Sequence, residues 1–162
     1  MAWSEFRVLE LRGTSTKLTF DASQDNSSPI WSPDGRRIVF GSHRNGKWGL
    51  YQRASDGNGV EELLVDSDLP KIPAAWSGKS IVYWLYDLKT GTDQWLLSME
   101  GDRKAVPLFN SPFIETHSQI SPDGKWIAYS SNKSGRYEVY VQPFPSGPGQ
   151  WQISLNGGVA PR

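Results

Sequence analysis

Residues 27–52 read SSPIWSPDGRRIVFGSHRNGKWGLYQ, and the same plan returns at 72–97 as IPAAWSGKSIVYWLYDLKTGTDQWLL and at 116–141 as THSQISPDGKWIAYSSNKSGRYEVYV. Trp31, Trp76 and Ile120 hold equivalent places, 45 and 44 residues apart. A second landmark keeps step with them at Leu18, Leu63, Leu108 and Ile153, at a constant 45. Self-similarity at this period identifies a repeat architecture, in which each copy is one supersecondary unit that buries its faces only by stacking on its neighbours.

The third copy shows what that unit is. Gln119-Ile120 leads into Ser121-Pro122-Asp123-Gly124. Proline presets φ for the second position of a turn, aspartate tolerates the third, and glycine supplies the positive φ of a following bulge. Lys125–Ser131 is rich in strand formers, Asn132-Lys133-Ser134-Gly135 turns the chain, and Arg136–Val141 alternates with period two. After Gly147-Pro148-Gly149, Gln150–Ile153 forms a fourth strand. The first copy repeats this with Ser32-Pro33-Asp34-Gly35. The second has only Trp76-Ser77-Gly78-Lys79 at the same place, which predicts a first hairpin about two residues tighter.

A four-stranded antiparallel meander of this length is one blade of a β-propeller. The fold class expected is therefore all-β, with four-stranded blades forming a partial ring of about 3.5 blades per chain. The chain reads as a single partial propeller over 1–162. A half blade lies at 5–20, blades at about 29–65, 73–108 and 117–154, and the start of another at 157–162. Bulky side chains should fill the wedge between sheets, and Trp31, Phe40, Trp76, Tyr83, Trp126 and Tyr129 are the candidates.

WSPDGRRIVF at 31–40 and ISPDGKWIAYSSN at 120–132 resemble the WD40-like propeller repeat of the TolB type. That repeat has an apolar anchor, Ser-Pro-Asp-Gly-Lys/Arg, then an apolar strand ending in serine. The resemblance covers nearly the whole chain. It implies a propeller that acts as a TolB-like protein, as a substrate-gating part of prolyl-oligopeptidase-like or tricorn-like peptidases, or as a sensor region of bacterial serine/threonine kinases. The run LRGTSTKLTFDASQDNSSPIWSPDGRRIVF at 11–40 is most similar to the kinase group. Relatives of this type are often periplasmic or otherwise outside the cytoplasm, although no secretion signal can be read in residues 1–13.

Composition excludes several function classes. Seventeen basic residues balance 17 acidic ones without a basic stripe, so nothing recommends nucleic acid or an anionic membrane surface as partner. The absence of cysteine removes disulfides and thiolate zinc sites, and His43 and His117 are the only imidazoles. No G-x-S-x-G elbow, Gly-rich phosphate loop, HRD or DFG occurs. The expectation is no enzyme activity, no cofactor and no metal. Asp21, Asp25, Asn26, Asp66 and Asp68 precede first strands and could supply oxygen ligands to calcium, but their spacing matches no calcium loop and such residues are ordinary loop formers.

What remains is an interaction module for a protein, peptide or small ligand. Asn26, Ser27, Lys71, His117 and Ser118 are the candidate contacts, because first strands begin at the mouth of a propeller channel. His43, beside a turn, reads as solvated. The alternatives are a sensor or gating part of a kinase or peptidase and, more weakly, a carbohydrate-binding propeller. The last would need Trp48, Trp84 and Trp95 exposed together. The repeat phase opens at a third strand and stops before a first strand, giving about 3.6 blades. Closed propellers need at least four. The expected partner is a second copy, two arcs making a ring of about seven blades.

Overall fold

A computed structural model describes residues 5–11, 13–20, 24–88, 91–109 and 111–162. Every regular element in it is a strand. The strands are β1 (Arg7–Leu9), β2 (Ser15–Lys17), β3 (Asp25–Trp31), β4 (Arg37–Arg44), β5 (Lys47–Ala54), β6 (Glu62–Ser67) and β7 (Lys71–Ser77). They continue with β8 (Ser80–Asp87), β9 (Gly91–Ser98), β10 (Ala105–Pro107), β11 (Glu115–Ile120), β12 (Trp126–Ser131), β13 (Glu138–Pro143) and β14 (Trp151–Gln152).

They form one two-stranded sheet, β1-β2, and three four-stranded sheets, β3-β4-β5-β6, β7-β8-β9-β10 and β11-β12-β13-β14. Each four-stranded sheet is a meander of sequential neighbours. This is the β-propeller blade, repeated. Two residues separate β7 from β8, where five separate β3 from β4 and β11 from β12, because the second copy lacks the Pro-Asp pair.

The Ser-Pro-Asp-Gly turns are built alike in two copies. Ser32 Oγ donates to Asp34 Oδ1 at 2.6 Å and accepts the Arg37 N–H at 2.9 Å, while Arg36 N–H donates to the same Asp34 oxygen at 3.1 Å. Ser121, Asp123, Lys125 and Trp126 repeat this set at 2.6, 3.1 and 3.0 Å. Gly35 and Gly124 close the turns at φ +69° and +71°, where a Cβ would be strained. These hydrogen bonds, led by the serine hydroxyl, hold the Asp34 and Asp123 carboxyls below the usual aspartate range.

The last-strand landmark has a backbone role. Leu18 N–H donates to Phe6, Leu108 N–H to Gln94 and Ile153 N–H to Val139, at 2.9, 2.8 and 2.8 Å, so three copies tie the fourth strand to the third at one place.

The chain divides into two compact units, 1–73 and 74–162. In the first, Leu18, Ile38 and Phe40 make a buried cluster on which Phe6 and Val8 pack, with the Phe6 and Phe40 rings edge to face at 5.7 Å. In the second, Tyr83, Ile81 and Leu97 are sealed, as are Tyr129, Ile127 and Tyr140. Burial pushes the Tyr83 phenol up to about 12 and raises that of Tyr129 as well.

The wedge-filling set is only partly internal. Phe40, Tyr83 and Tyr129 occupy one repeat position and are buried, and Trp76 is half-buried. Trp31 and Trp126 are instead 51% and 41% exposed. Trp31 is the last residue of β3, beside the turn. Trp126 is three residues from Tyr129 on one strand, so the period of two puts it on the opposite face.

Candidate functional site

Three first strands carry a buried polar residue at one repeat position: Asn26 on β3, Lys71 on β7 and Glu115 on β11. Each lies five residues before the apolar anchor at Trp31, Trp76 or Ile120. Burying such groups costs free energy unless partners compensate. Asn26 Oδ1 accepts the Ser42 hydroxyl at 2.8 Å. Glu115 accepts the Ser111 hydroxyl at 2.5 Å and a further bond from Ser131, the residue equivalent to Ser42. Lys71 has Asp66 and Asp68 as its countercharges.

The three respond differently to burial. Desolvation holds the Lys71 ammonium below the usual lysine range, against the pull of Asp66 and Asp68. Desolvation pushes the Glu115 carboxyl up, opposed by the Ser111 hydroxyl and reinforced by Asp93. Both groups are thereby biased toward neutrality.

Each first strand in the outer two copies is bent just past this position. The β3–β4 register shifts between Ser27 and Ile30, and the β11–β12 register between Thr116 and Gln119. Ser28 and His117 sit in these bulges at φ +52° and +53°, in the left-handed region that non-glycine residues rarely take. Proline, with φ locked negative, stands at the equivalent position 73 in the second copy.

Of the residues expected at the channel mouth, Asn26, Ser27 and Lys71 gather in the first unit. Gly41 on β4 is where they meet: a Cβ there would stand 2.3 Å from the Lys71 carbonyl and 3.1 Å from Ser27 Oγ. In the second unit His117 is exposed, its Nδ1 3.0 Å from Thr116 Oγ1, whereas Ser118 is fully buried and donates its hydroxyl to Gln94. Ser118 is therefore a packing residue, turned inward by the bulge that turns His117 out.

Two buried carboxylates escaped sequence reading. Glu115 could have been found by its registry with Asn26 and Lys71. Glu138 could have been found as a charge at an inward position of a period-two strand, two residues before Tyr140. Its carboxylate accepts from Ser154, from the Gly157 N–H at 2.8 Å and from Arg136 Nε at 2.7 Å, and pins the segment after β14. The Ser154 hydroxyl leads in holding that carboxyl below the usual glutamate range.

The calcium set is dispersed. Asn26 is buried on Ser42, Asp66 and Asp68 are exposed, and Asp21 lies outside the described residues. Among the described residues no group of three or more His, Cys, Asp or Glu is placed to hold a metal ion. His43 is half-buried and stacks on Trp48 at 4.7 Å, a packed position where a solvated one was expected. Trp48, Trp84 and Trp95 are all half-buried. Trp84 pairs with Gln94 and Trp95 with Tyr83, so Trp84 and Trp95 point to opposite faces of their sheet and form no common sugar platform.

These sheets and turns define a β-propeller fold, and the chain is similar to TolB proteins in sequence and in fold. The chain is 26% identical over 96% of its length to the Tol-Pal system protein TolB of Bordetella pertussis, and 29% identical over 72% of its length to an uncharacterized protein of Agrobacterium fabrum. It spans about a third of the length of that TolB and 43% of the second relative. Among solved structures it superposes on TolB from Acinetobacter baumannii with a TM-score of 0.79 at 20% identity, covering 96% of this chain and 38% of that one. A TolB-like protein from Agrobacterium tumefaciens gives 0.78 at 22% identity, with 94% and 55% covered. A prolyl endopeptidase gives 0.64 at 15% identity, with 93% and 25% covered. No protein-family model matches the chain.

Proposed function

We propose that this chain is a non-catalytic interaction module that binds a protein or peptide partner in its first unit, where β3 and β7 begin, and that it self-associates. The observation that carries the reading is the placement of Asn26 and Lys71 in the first unit, a neutral and a cationic polar group at one repeat position. Packing alone is served better by apolar residues, as Val39 and Val82 on the neighbouring strands illustrate. Polar groups held at strand ends by a rigid sheet are what recognition of a polar partner requires. Similarity to a protein named for a system, the Tol-Pal system protein TolB, supports a protein as that partner.

The test is affinity capture from cells of the source organism with the intact chain and with Lys71→Ala and Asn26→Ala. Retention of one protein by the parent and its loss with either variant supports the reading. Equal capture by all three, or none by the parent, contradicts it.

The likeness to a prolyl endopeptidase favours one second reading, a propeller that gates access to a separate hydrolase domain. Genetic linkage to a hydrolase, and altered peptide-size selectivity when the two are combined, would distinguish it. A sensor role beside a protein kinase rests on the run at 11–40 alone.

A further inference from the structure

Two arginines of the first unit share one carboxylate. Strand alternation puts Phe40, Ser42 and Arg44 on one face of β4, opposite Tyr51, Gly49 and Lys47 of β5. Because Gly49 has no side chain, the Tyr51 ring lies against it: a Cβ at that position would stand 2.9 Å from Tyr51 Cε2. The Arg44 guanidinium in turn lies 3.7 Å from the centre of that ring. Its Nε donates to Ser42 Oγ at 3.1 Å, the hydroxyl that donates to Asn26, and its Nη1 donates to Glu61 Oε2 at 2.5 Å. Glu61 is held by Arg44.

Arg53, opposite Ile38 on the same face, has less to neutralise it. Its Nη2 donates to the Gly57 and Gly59 carbonyls at 2.7 and 3.1 Å. Its Nη1 stands 3.8 Å from Glu61 Oε1, beyond hydrogen-bond reach, and its Nε is buried without an acceptor. Charges so little exposed are ordinarily paired, and a guanidinium pairs best with a carboxylate. The other acids near it face elsewhere. Glu5 pairs with Arg7 and Lys17, and Asp56 accepts from the Asn58 N–H and Nδ2 at 2.9 and 3.0 Å. Asp25 and Glu62 lie on the opposite face of the sheet, where Glu62 accepts from Gln52. Among the described residues, Arg53 has no carboxylate of its own.

Arg53 lines a groove of about 260 Å³ together with Phe20, Gln24, Gly59, Val60 and Glu61. Its guanidinium lies 4.7 Å from the centre of the Phe20 ring, and Phe20 and Val60 are 60% and 88% exposed. The groove is smaller than the roughly 300 Å³ at which small-molecule sites begin, and suits one or two side chains of a peptide.

We propose that this groove receives an acidic segment of a partner protein, its carboxylate on Arg53 and an apolar neighbour against Phe20 and Val60. The inference rests on the reading that the first unit binds a protein or peptide, and it supplies the chemistry that such a partner carries.

The experiment is a nitrogen–proton correlation NMR titration of the intact chain with a capped peptide of alternating glutamate and leucine. The controls are the same peptide with lysine for glutamate, and sodium glutamate. The expected result is saturable shifts of Arg53 Nε–H and of the Gly59 and Val60 amides with the acidic peptide alone. Arg53→Gln should weaken binding about tenfold or more. Val60→Glu, at an exposed position that leaves the fold intact, should weaken it as well by repelling the carboxylate, whereas Val60→Lys should not. Shifts that survive Arg53→Gln and Val60→Glu, or that arise equally with the lysine peptide or sodium glutamate, overturn the inference. Shifts confined to Asn26 and Lys71, or none at all, overturn it alone, because capture of a partner that is lost with Lys71→Ala tests the interaction reading separately.

Discussion

Ser28 and His117, 89 residues apart in sequence, occupy one position in two blades and share one strained backbone conformation, φ +52° and +53°. Neither is glycine, and the left-handed region costs a non-glycine side chain about 1 kcal/mol, although histidine enters it more readily than most. Replacing His117 by glycine should therefore raise the unfolding free energy by about 0.5–1 kcal/mol, after the added freedom of glycine in the unfolded chain. His117→Val should lower it by about 1–2 kcal/mol. Urea titrations of the two variants check the sign, and destabilisation by glycine would show that the His117 side chain stabilises the bulge.

Gly41 offers a sharper steric case. A Cβ there would lie 2.3 Å from the Lys71 backbone carbonyl, which cannot swing aside as a flexible side-chain tip could. Gly41→Ala should cost about 2–3 kcal/mol, read as a lower denaturant midpoint with an unchanged slope. A loss under half a kcal/mol would mean that β4 and β7 approach less closely than described.

The Ser-Pro-Asp-Gly turns set an acid limit. Asp34 and Asp123 have carboxyls held below their unfolded value, so their contribution is complete above the ordinary aspartate pKa and is lost as pH falls through the depressed one. Ser121→Ala removes both the hydroxyl donated to Asp123 and the acceptor of the Trp126 N–H, and should lower the melting temperature at neutral pH and lower it less in acid. Thermal melts at neutral and acidic pH measure the difference. An equal loss at both would assign the stability to the backbone of the turn alone.

Glu115 behaves in the opposite sense. Its carboxyl is raised by burial, so the folded state favours the protonated form. The stability this brings is present below the unfolded carboxylate pKa and is lost as pH rises through the raised folded value. Glu115→Gln, which keeps the shape without the charge, should be the more stable protein at neutral pH and no more stable in acid. A variant weaker at neutral pH would show that the ionised form is the one the sheet holds.

Most of the blade plan is readable from Ser-Pro-Asp-Gly and the spacing of Trp31, Trp76 and Ile120, because turn chemistry and period are local properties. Which aromatic faces inward is not local. Trp126 and Tyr129 look equally suited to a wedge, yet strand alternation sends them to opposite faces. The candidate site divides in the same way. Asn26 and Lys71 lie at the starts of first strands as the repeat places them, but Ser118 is turned inward by a bulge that nothing in Thr116–Gln119 announces. Glu115 shows its meaning only once the three copies are in register.

Self-association of the propeller module is the central proposal. The most direct measurement is the mass of the unmodified chain in solution by light scattering, followed to the lowest concentration that gives signal. The account predicts twice 18.1 kDa, falling toward the single-chain mass only on strong dilution. A constant 18.1 kDa with one cooperative thermal transition would contradict it.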